Sequence, residues 1–165
     1  MSRSLRFAQR WDVPQTLVFE RECFHPNLRM TLSEKRELLL RDALVFWMHD
    51  GRALIGETYG SAIAAALDED AEEEGHVDLL PYRHRQAIYV YSTAIRPRWQ
   101  GKGLSKILKA YFLGRAAQAG YRIAVGHAKE GRSSALNELF GARLLTRHPN
   151  WYGTSEPYWF YEMPL

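Results

Sequence analysis

Cysteine is nearly absent from this chain: Cys23 stands alone, so no disulfide can form within it. A fold held by its core rather than by such staples fits a reducing compartment. Long apolar runs are absent too. The stretch from Ala62 to Leu67 falls far short of the ~20 residues a membrane-spanning helix needs. The opening Met1-Ser2-Arg3-Ser4-Leu5-Arg6 lacks the apolar core of a secretion signal. These absences lead to the expectation of a cytoplasmic protein with no membrane partner. The six histidines are scattered, and with one cysteine they offer no metal-ligand spacing, so no metal is expected. No glycine-lysine-serine or -threonine stands at the spacing of a nucleotide P-loop. No serine-histidine-acid hydrolase arrangement shows. Internal repeats are missing and nothing marks a second domain, so residues 1–165 read as one domain.

What is present is ordinary in amount and uneven in placement. Apolar residues make up 46% of the chain and charged residues 25%, proportions that fit a globular protein with a substantial core. Seven carboxylates crowd one stretch: Asp68, Glu69, Asp70, Glu72, Glu73, Glu74 and Asp78. Without those seven, the net charge of +3 becomes +10. The plain reading of the stretch is a solvated loop. The sharper one is an electrostatic lip that attracts a cationic substrate.

Element signals follow along the chain. Leu5 to Gln9 reads as a first strand. Asp12-Val13-Pro14 opens a helix to about Cys23, with aspartate as cap and proline where its missing N–H does little harm. Thr31 to Leu40 is a second helix, started by the capping box Thr31-Leu32-Ser33-Glu34. Ala43–Met48 and Ala53–Tyr59 read as a hairpin around His49-Asp50-Gly51-Arg52. The acidic loop follows. Ala87–Ile95 is apolar on both faces, as a central strand should be. Leu104, Ile107, Leu108, Phe112 and Ala116 recur at helical spacing, and Gly120 closes that helix. Tyr121–Gly126 is a strand, Ser133–Phe140 a short helix, and Arg143–Arg147 and Tyr158–Met163 the last two strands.

The segment with the most chemistry is Ile95-Arg96-Pro97-Arg98-Trp99-Gln100-Gly101-Lys102-Gly103-Leu104-Ser105. It joins a strand to a helix through a glycine-punctuated turn. Such a turn gathers bare N–H groups at a helix N-terminus, where the dipole favours an anion such as phosphate. The plain reading is an ordinary strand-turn-helix joint.

At this point the chain resembles the GNAT superfamily of acetyl-CoA-dependent N-acetyltransferases. The family's fingerprint is glutamine or arginine, two residues, glycine, one residue, then glycine or alanine. Gln100-Gly101-Lys102-Gly103-Leu104-Ser105 follows it except at its last position, where Ser105 is small but not glycine. Pro97 and Trp99 supply the expected lead-in, and they favour this register over one beginning at Arg98. The element order β-α-α-β-β-β-α-β-α-β-β also matches. The resemblance implies an α/β (α+β) fold: a mixed, mostly antiparallel sheet of six to seven strands, splayed at its centre, with about four flanking helices.

It also implies a site. The coenzyme pyrophosphate would sit on the amides of Gln100, Gly101, Lys102, Gly103, Leu104 and Ser105. Lys102, Lys106, Arg96 and Arg98 would add positive charge, though each reads equally as solvated surface. An N–H near Ile95 would polarise the thioester carbonyl. Family members often protonate the leaving thiolate with a tyrosine on the short helix; aligned on Gly141, that position holds Asn137, which can hydrogen-bond but not act as an acid. Glu130 replaces the usual asparagine that begins this segment. Tyr152, in the last loop, is the first substitute for the acid and Tyr91 the second; aromatic packing is the plain alternative for both. Glu57, Glu130 and His127 are the choices for the base that takes a proton from the attacking ammonium. Glu57 as an outward-facing strand residue and His127 as a structural histidine are the plain alternatives. Trp151, Tyr152, Tyr158 and Trp159 can line an acceptor pocket, although alternation keeps Tyr158 and Trp159 on opposite faces.

The function implied is direct transfer of an acetyl group from acetyl-CoA to a primary amine of a small molecule or peptide. A non-catalytic acyl-CoA-binding module is the alternative that Asn137 and Glu130 keep open. A nucleic-acid-binding protein is a third class, raised by the basic remainder but unsupported by any recognised motif. Pairing of two copies through sheet edges is a further expectation from the family.

Overall fold

A computed structural model describes residues 3–7, 13–40, 43–67 and 75–165. The described strands are β1 (Arg3–Phe7), β2 (Ala43–Asp50), β3 (Ala53–Ala62), β4 (Ala87–Ile95), β5 (Ile123–Lys129), β6 (Arg143–His148) and β7 (Tyr158–Pro164). The helices are α1 (Val13–Cys23), α2 (Leu32–Leu40), α3 (Ile63–Leu67), α4 (His76–Leu79), α5 (Leu104–Gln118) and α6 (Arg132–Leu139). The strands form one seven-stranded sheet in the order β1-β2-β3-β4-β5-β7-β6. It is mixed: β4 and β5 pair parallel, while β1–β2, β5–β7 and β6–β7 pair antiparallel. The parallel pair needs a crossover, and α5 lies within it.

Contacts divide the chain into two compact units. The first comprises Met1–Gly60 and Ser92–Phe112. Here the hairpin turn places Gly51 at φ +58, as the Asp-Gly signal requires. The capping box at α2 is formed: the Thr31 amide donates to Glu34, and the Glu34 amide to Thr31 Oγ1 at 3.3 Å. Phe46 anchors the core, edge-on to Tyr111 at 5.0 Å and Phe112 at 6.2 Å. The core also holds a charged cluster. Lys35, buried, pairs with Glu20 at 2.8 Å and with Glu57, and lies 4.1 Å from the Tyr59 ring.

The second unit comprises Ser61–Tyr91 and Leu113–Leu165. Ile63, Leu79, Tyr82, Val125 and Phe160 form its core. The β4–β5 ladder runs from Ala87↔Ile123 to Val90↔Gly126, while β4 continues to Ile95 and β5 to Lys129. Gly126 is required at the last rung: a Cβ there would stand 2.6 Å from the Val90 carbonyl oxygen and 2.9 Å from the Tyr161 hydroxyl.

Three expectations are revised. The segment after β3 is not simply a loop: α3 forms because the alanine run in Ile63-Ala64-Ala65-Ala66-Leu67 favours helix, and a single turn, α4, follows at His76–Leu79. Helix α5 buries Leu104, Leu108, Phe112 and Ala116, but Ile107 is 53% exposed and lies off that face. The first strand is Arg3–Phe7; its expected end at Ala8 and Gln9, the Asp12 cap and the acidic residues 68–74 lie outside the described residues.

Candidate functional site

The turn from β4 to α5 is built by its own sequence. The Arg96 amide donates to the Ile55 carbonyl at 2.9 Å and ties the end of β4 to β3. Pro97–Trp99 then make a 3-10 turn. The Gln100 side chain folds back, its Nε2 donating to the Ile95 carbonyl at 2.9 Å. Gly101 at φ +76 and Gly103 at φ +74 are left-handed, where other residues are strained. Alternating backbone of this kind turns successive N–H groups toward one point, a nest for an anion. Among the described residues, no acceptor within the chain receives the amides of Gly101, Lys102, Gly103, Leu104 or Ser105; the first turn of α5 closes with Lys106 and Ile107 donating to the Gly103 carbonyl. A Cβ on Gly101 or Gly103 would meet nothing within 4 Å, so a side chain added at either glycine has room.

The cations expected around the turn divide. Lys102 lies 4.8 Å from the Trp99 ring, and Arg96 Nε lies 3.4 Å from Glu22. Lys106 and Arg98 are exposed. Arg96 is therefore partly neutralised, whereas Lys106 and Arg98 keep their charge toward solvent.

The expected acid and base positions have distinct environments. Glu57 is wholly buried, one oxygen held by Lys35 and the other accepting from Trp47 Nε1 at 2.7 Å. The reading of Glu57 as a cleft-facing base is corrected: its oxygens are committed to a structural ion pair, and it does not face solvent. Glu130 is exposed and bound to Arg147 Nε at 2.6 Å and Trp159 Nε1 at 2.9 Å. The Arg147 hydrogen bond holds its carboxyl below the ordinary range, which weakens it as a base. The Tyr91 hydroxyl lies 3.2 Å from Ser61 Oγ, and its ring meets Tyr89. Tyr152 is half-buried against Trp151, with left-handed backbone at φ 46 that a tyrosine rarely adopts. Tyr158 stacks on Trp151 while Trp159 reaches Glu130, so alternation does separate them.

Asn137 is 5% exposed. Its Nδ2 donates to the Ser133 carbonyl at 2.9 Å, and its Oδ1 is buried without a donor among the described residues. A buried acceptor left open is costly, which points to a ligand N–H at this place.

Sequence spacing missed one cluster entirely. Asp78 from α4, His127 from β5 and His148 from the end of β6 converge in the second unit. His127 Nε2 lies 3.1 Å and His148 Nε2 2.7 Å from Asp78 Oδ2, and the Tyr89 hydroxyl lies 2.9 Å from His127 Nδ1. Burial would raise the Asp78 pKa, but the hydrogen bonds and charges of the two histidines outweigh it and hold the carboxyl below its ordinary value. His127 is thus part of a network. With 49 and 70 residues separating Asp78 from its partners, no local motif could have announced it.

No protein-family model matches the sequence, and no curated protein matches it. Solved structures do resemble its fold. The ribosomal-protein-S18-alanine N-acetyltransferase of Escherichia coli has a TM-score of 0.75 at 13% identity, over 99% of this chain and 94% of that one. A phosphinothricin acetyltransferase of the GNAT superfamily from Sinorhizobium meliloti, in complex with acetyl-CoA, has a TM-score of 0.71 at 20% identity, over 100% and 89%. The GNAT-like decarboxylase GphF, in complex with isobutyryl-CoA, has a TM-score of 0.76 at 15% identity, over 98% of each chain. This chain has the GNAT fold. Among the described residues, no helix is long and apolar enough to cross a membrane.

Proposed function

We propose that the protein is an N-acetyltransferase that transfers an acetyl group from acetyl-CoA directly to a primary amine of a small molecule or peptide. One observation carries the reading: five consecutive amides, from Gly101 to Ser105, without an acceptor in the chain at the head of a 15-residue helix. Two left-handed glycines turn them toward one point. A diphosphate supplies the anion that such a cradle lacks. Structures of the same fold in complex with acetyl-CoA and isobutyryl-CoA support the choice of an acyl-CoA.

In this reading each residue has a defined task. Residues 100–105 hold the pyrophosphate, and Lys106 and Arg98 add charge-assisted contacts to the nucleotide phosphates. The Asn137 Oδ1 accepts from an amide N–H of the pantetheine arm. A backbone N–H near Ile95 would stabilise the developing oxyanion as the neutral amine attacks the thioester carbon. The carbon–sulfur bond then breaks, and Tyr152 gives its proton to the departing thiolate, with Tyr91 as the second choice. The amine's excess proton leaves to water or to a base. Holding the reactants within attack distance removes ~7–11 kcal/mol of barrier in favourable systems.

The test has two parts. Acetyl-CoA binding is measured by calorimetry, and thiol release is followed with a panel of primary amines. Gly103→Asp puts a side chain and an anion into the cradle, and at least a tenfold loss of binding is expected. Unchanged affinity would overturn the site. The replacement of an acid by Asn137 favours a second reading, a non-catalytic acyl-CoA-binding module. That reading requires binding without amine-dependent thiol release.

A further inference from the structure

The cluster is built from residues of the second unit alone, and its inference does not rest on the function proposed above. We propose that Asp78, His127 and His148 form a three-ligand site for a divalent transition-metal cation of the zinc type. Their donor atoms all lie within 4.8 Å of one another. Four-coordinate zinc with bonds of about 2.0–2.1 Å separates its ligand atoms by roughly 3.3 Å. The separations of Asp78 Oδ2 from the two histidine nitrogens, 3.1 and 2.7 Å, would open by roughly 0.2 and 0.6 Å to reach that spacing, and the two imidazole nitrogens, within 4.8 Å of each other, would settle to the same spacing. In the metal-free arrangement, each histidine Nε2 needs a proton to bond the shared Asp78 Oδ2. A cation replaces those protons and satisfies the same three atoms.

The surroundings hold the ligands as a metal site requires. The Tyr89 hydroxyl can accept the proton on His127 Nδ1, which leaves Nε2 as the donor to metal. Trp151 stacks on the imidazole at 4.0 Å, and Phe160 meets it at 5.0 Å, so the ring is fixed on both counts. Gly75, at φ +82, lets the backbone pass close beside it; a Cβ there would stand 2.7 Å from His127 Cε1 and Nε2. Side-chain exposure grades across the ligands: 2% for His127, 14% for Asp78 and 21% for His148. The Asp78–His148 side therefore gives an entry path and room for water as the fourth ligand.

The donor set selects the metal. Two imidazoles and one carboxylate suit a first-row transition metal such as Zn²⁺, Fe²⁺, Co²⁺, Ni²⁺ or Cu²⁺. Ca²⁺ takes six to eight oxygens, and Mg²⁺ an octahedron of oxygens, which these residues cannot supply.

The experiment titrates chelator-treated full-length protein with Co²⁺, followed by visible absorption, and with Zn²⁺, followed by calorimetry. One Co²⁺ per chain with the intense visible bands of a tetrahedral site is expected. His148→Ala and Asp78→Asn should each weaken Zn²⁺ binding by more than about 100-fold, and Tyr89→Phe by about 10- to 100-fold. Circular dichroism reports folding, and His148→Gln replaces His148→Ala where the smaller side chain unfolds the protein. Absence of stoichiometric binding overturns the proposal and leaves a hydrogen-bonded histidine–aspartate–histidine cluster. Binding that survives both ligand substitutions overturns it equally, because the cation is then held elsewhere.

Discussion

Lys109 is a lysine in the wrong solvent. It lies on α5 beside Leu108, with 1% of its surface exposed, and burial pulls its pKa from the ordinary lysine value down to about 7. Desolvation of the ammonium is the cause. The folded pKa lies below the unfolded one, so between about pH 7 and pH 10.4 the unfolded chain binds the extra proton. Stability from this group is therefore complete above the unfolded pKa and is lost as pH falls toward 7. The slope within the window approaches 1.4 kcal/mol per pH unit, which amounts to about 2.5 kcal/mol between pH 7.5 and 9.5.

Lys109→Met keeps the length of the stem and removes the titration. The stability difference between parent and variant should move by about 2.5 kcal/mol in the parent's favour from pH 7.5 to pH 9.5. Urea unfolding followed by tryptophan fluorescence measures both proteins at both pH values. The difference between them is the informative quantity, because Cys23 titrates in the same range. Burial raises that thiol to about 12, so its contribution is complete below the unfolded thiol pKa and falls as pH rises past it, in both proteins alike. A gap that stays constant from pH 7.5 to 9.5 would refute the account of Lys109 as a desolvated, titrating lysine.

Three further outcomes are expected. Gly126→Ala should cost about 1–3 kcal/mol, because its Cβ overpacks against the Val90 carbonyl and Tyr161; an unchanged melting temperature would contradict the close approach. Glu57→Gln should destabilise by about 3–5 kcal/mol, because it leaves part of the buried Lys35 charge uncompensated. The same variant, measured where it is folded, should keep the parent's kcat for acetyl transfer, and a large loss of kcat in folded protein would restore Glu57 as the base. Tyr152→Phe should lower kcat by about 100-fold or more with little change in the KM for acetyl-CoA; loss of binding instead would make Tyr152 a packing residue.

What the sequence revealed was local. The capping box at Thr31, the hairpin at Gly51 and the turn at Gly101 and Gly103 each depend on residues within a few positions. Their backbone consequences follow from those residues alone. The alternation that separates Tyr158 from Trp159 is local in the same sense. The buried charge cluster was not legible, because Lys35 and Glu57 lie 22 residues apart on different elements. The sequence neighbours of Glu57 fit a base and a surface residue equally well, and only Lys35 and Trp47, brought to its oxygens by the fold, distinguish it from both. The histidine cluster needed α4, β5 and β6 in place before it existed at all.

The orientation of Asn137 bears on how the proposed function would divide binding from proton transfer. Its amide could be turned over without changing its shape, but that would set Oδ1 against the Ser133 carbonyl, oxygen to oxygen. The hydrogen bond therefore fixes Nδ2 toward Ser133 and leaves Oδ1 as a buried acceptor. An open acceptor costs about 1–3 kcal/mol, which a pantetheine N–H would recover on binding. An amide offers no acidic proton, so under the proposed function this position would serve binding and the thiolate would be protonated from elsewhere. Tyr152 carries a phenol on backbone at φ 46, φ > 0 that is uncommon for a residue of its size. Strain of that kind costs roughly 1–3 kcal/mol and persists where the surrounding structure over-determines it, as at functional sites. Under the proposed function, Tyr152→Phe should therefore spare binding and slow turnover, since Asn137 would receive the arm and Tyr152 would supply the proton.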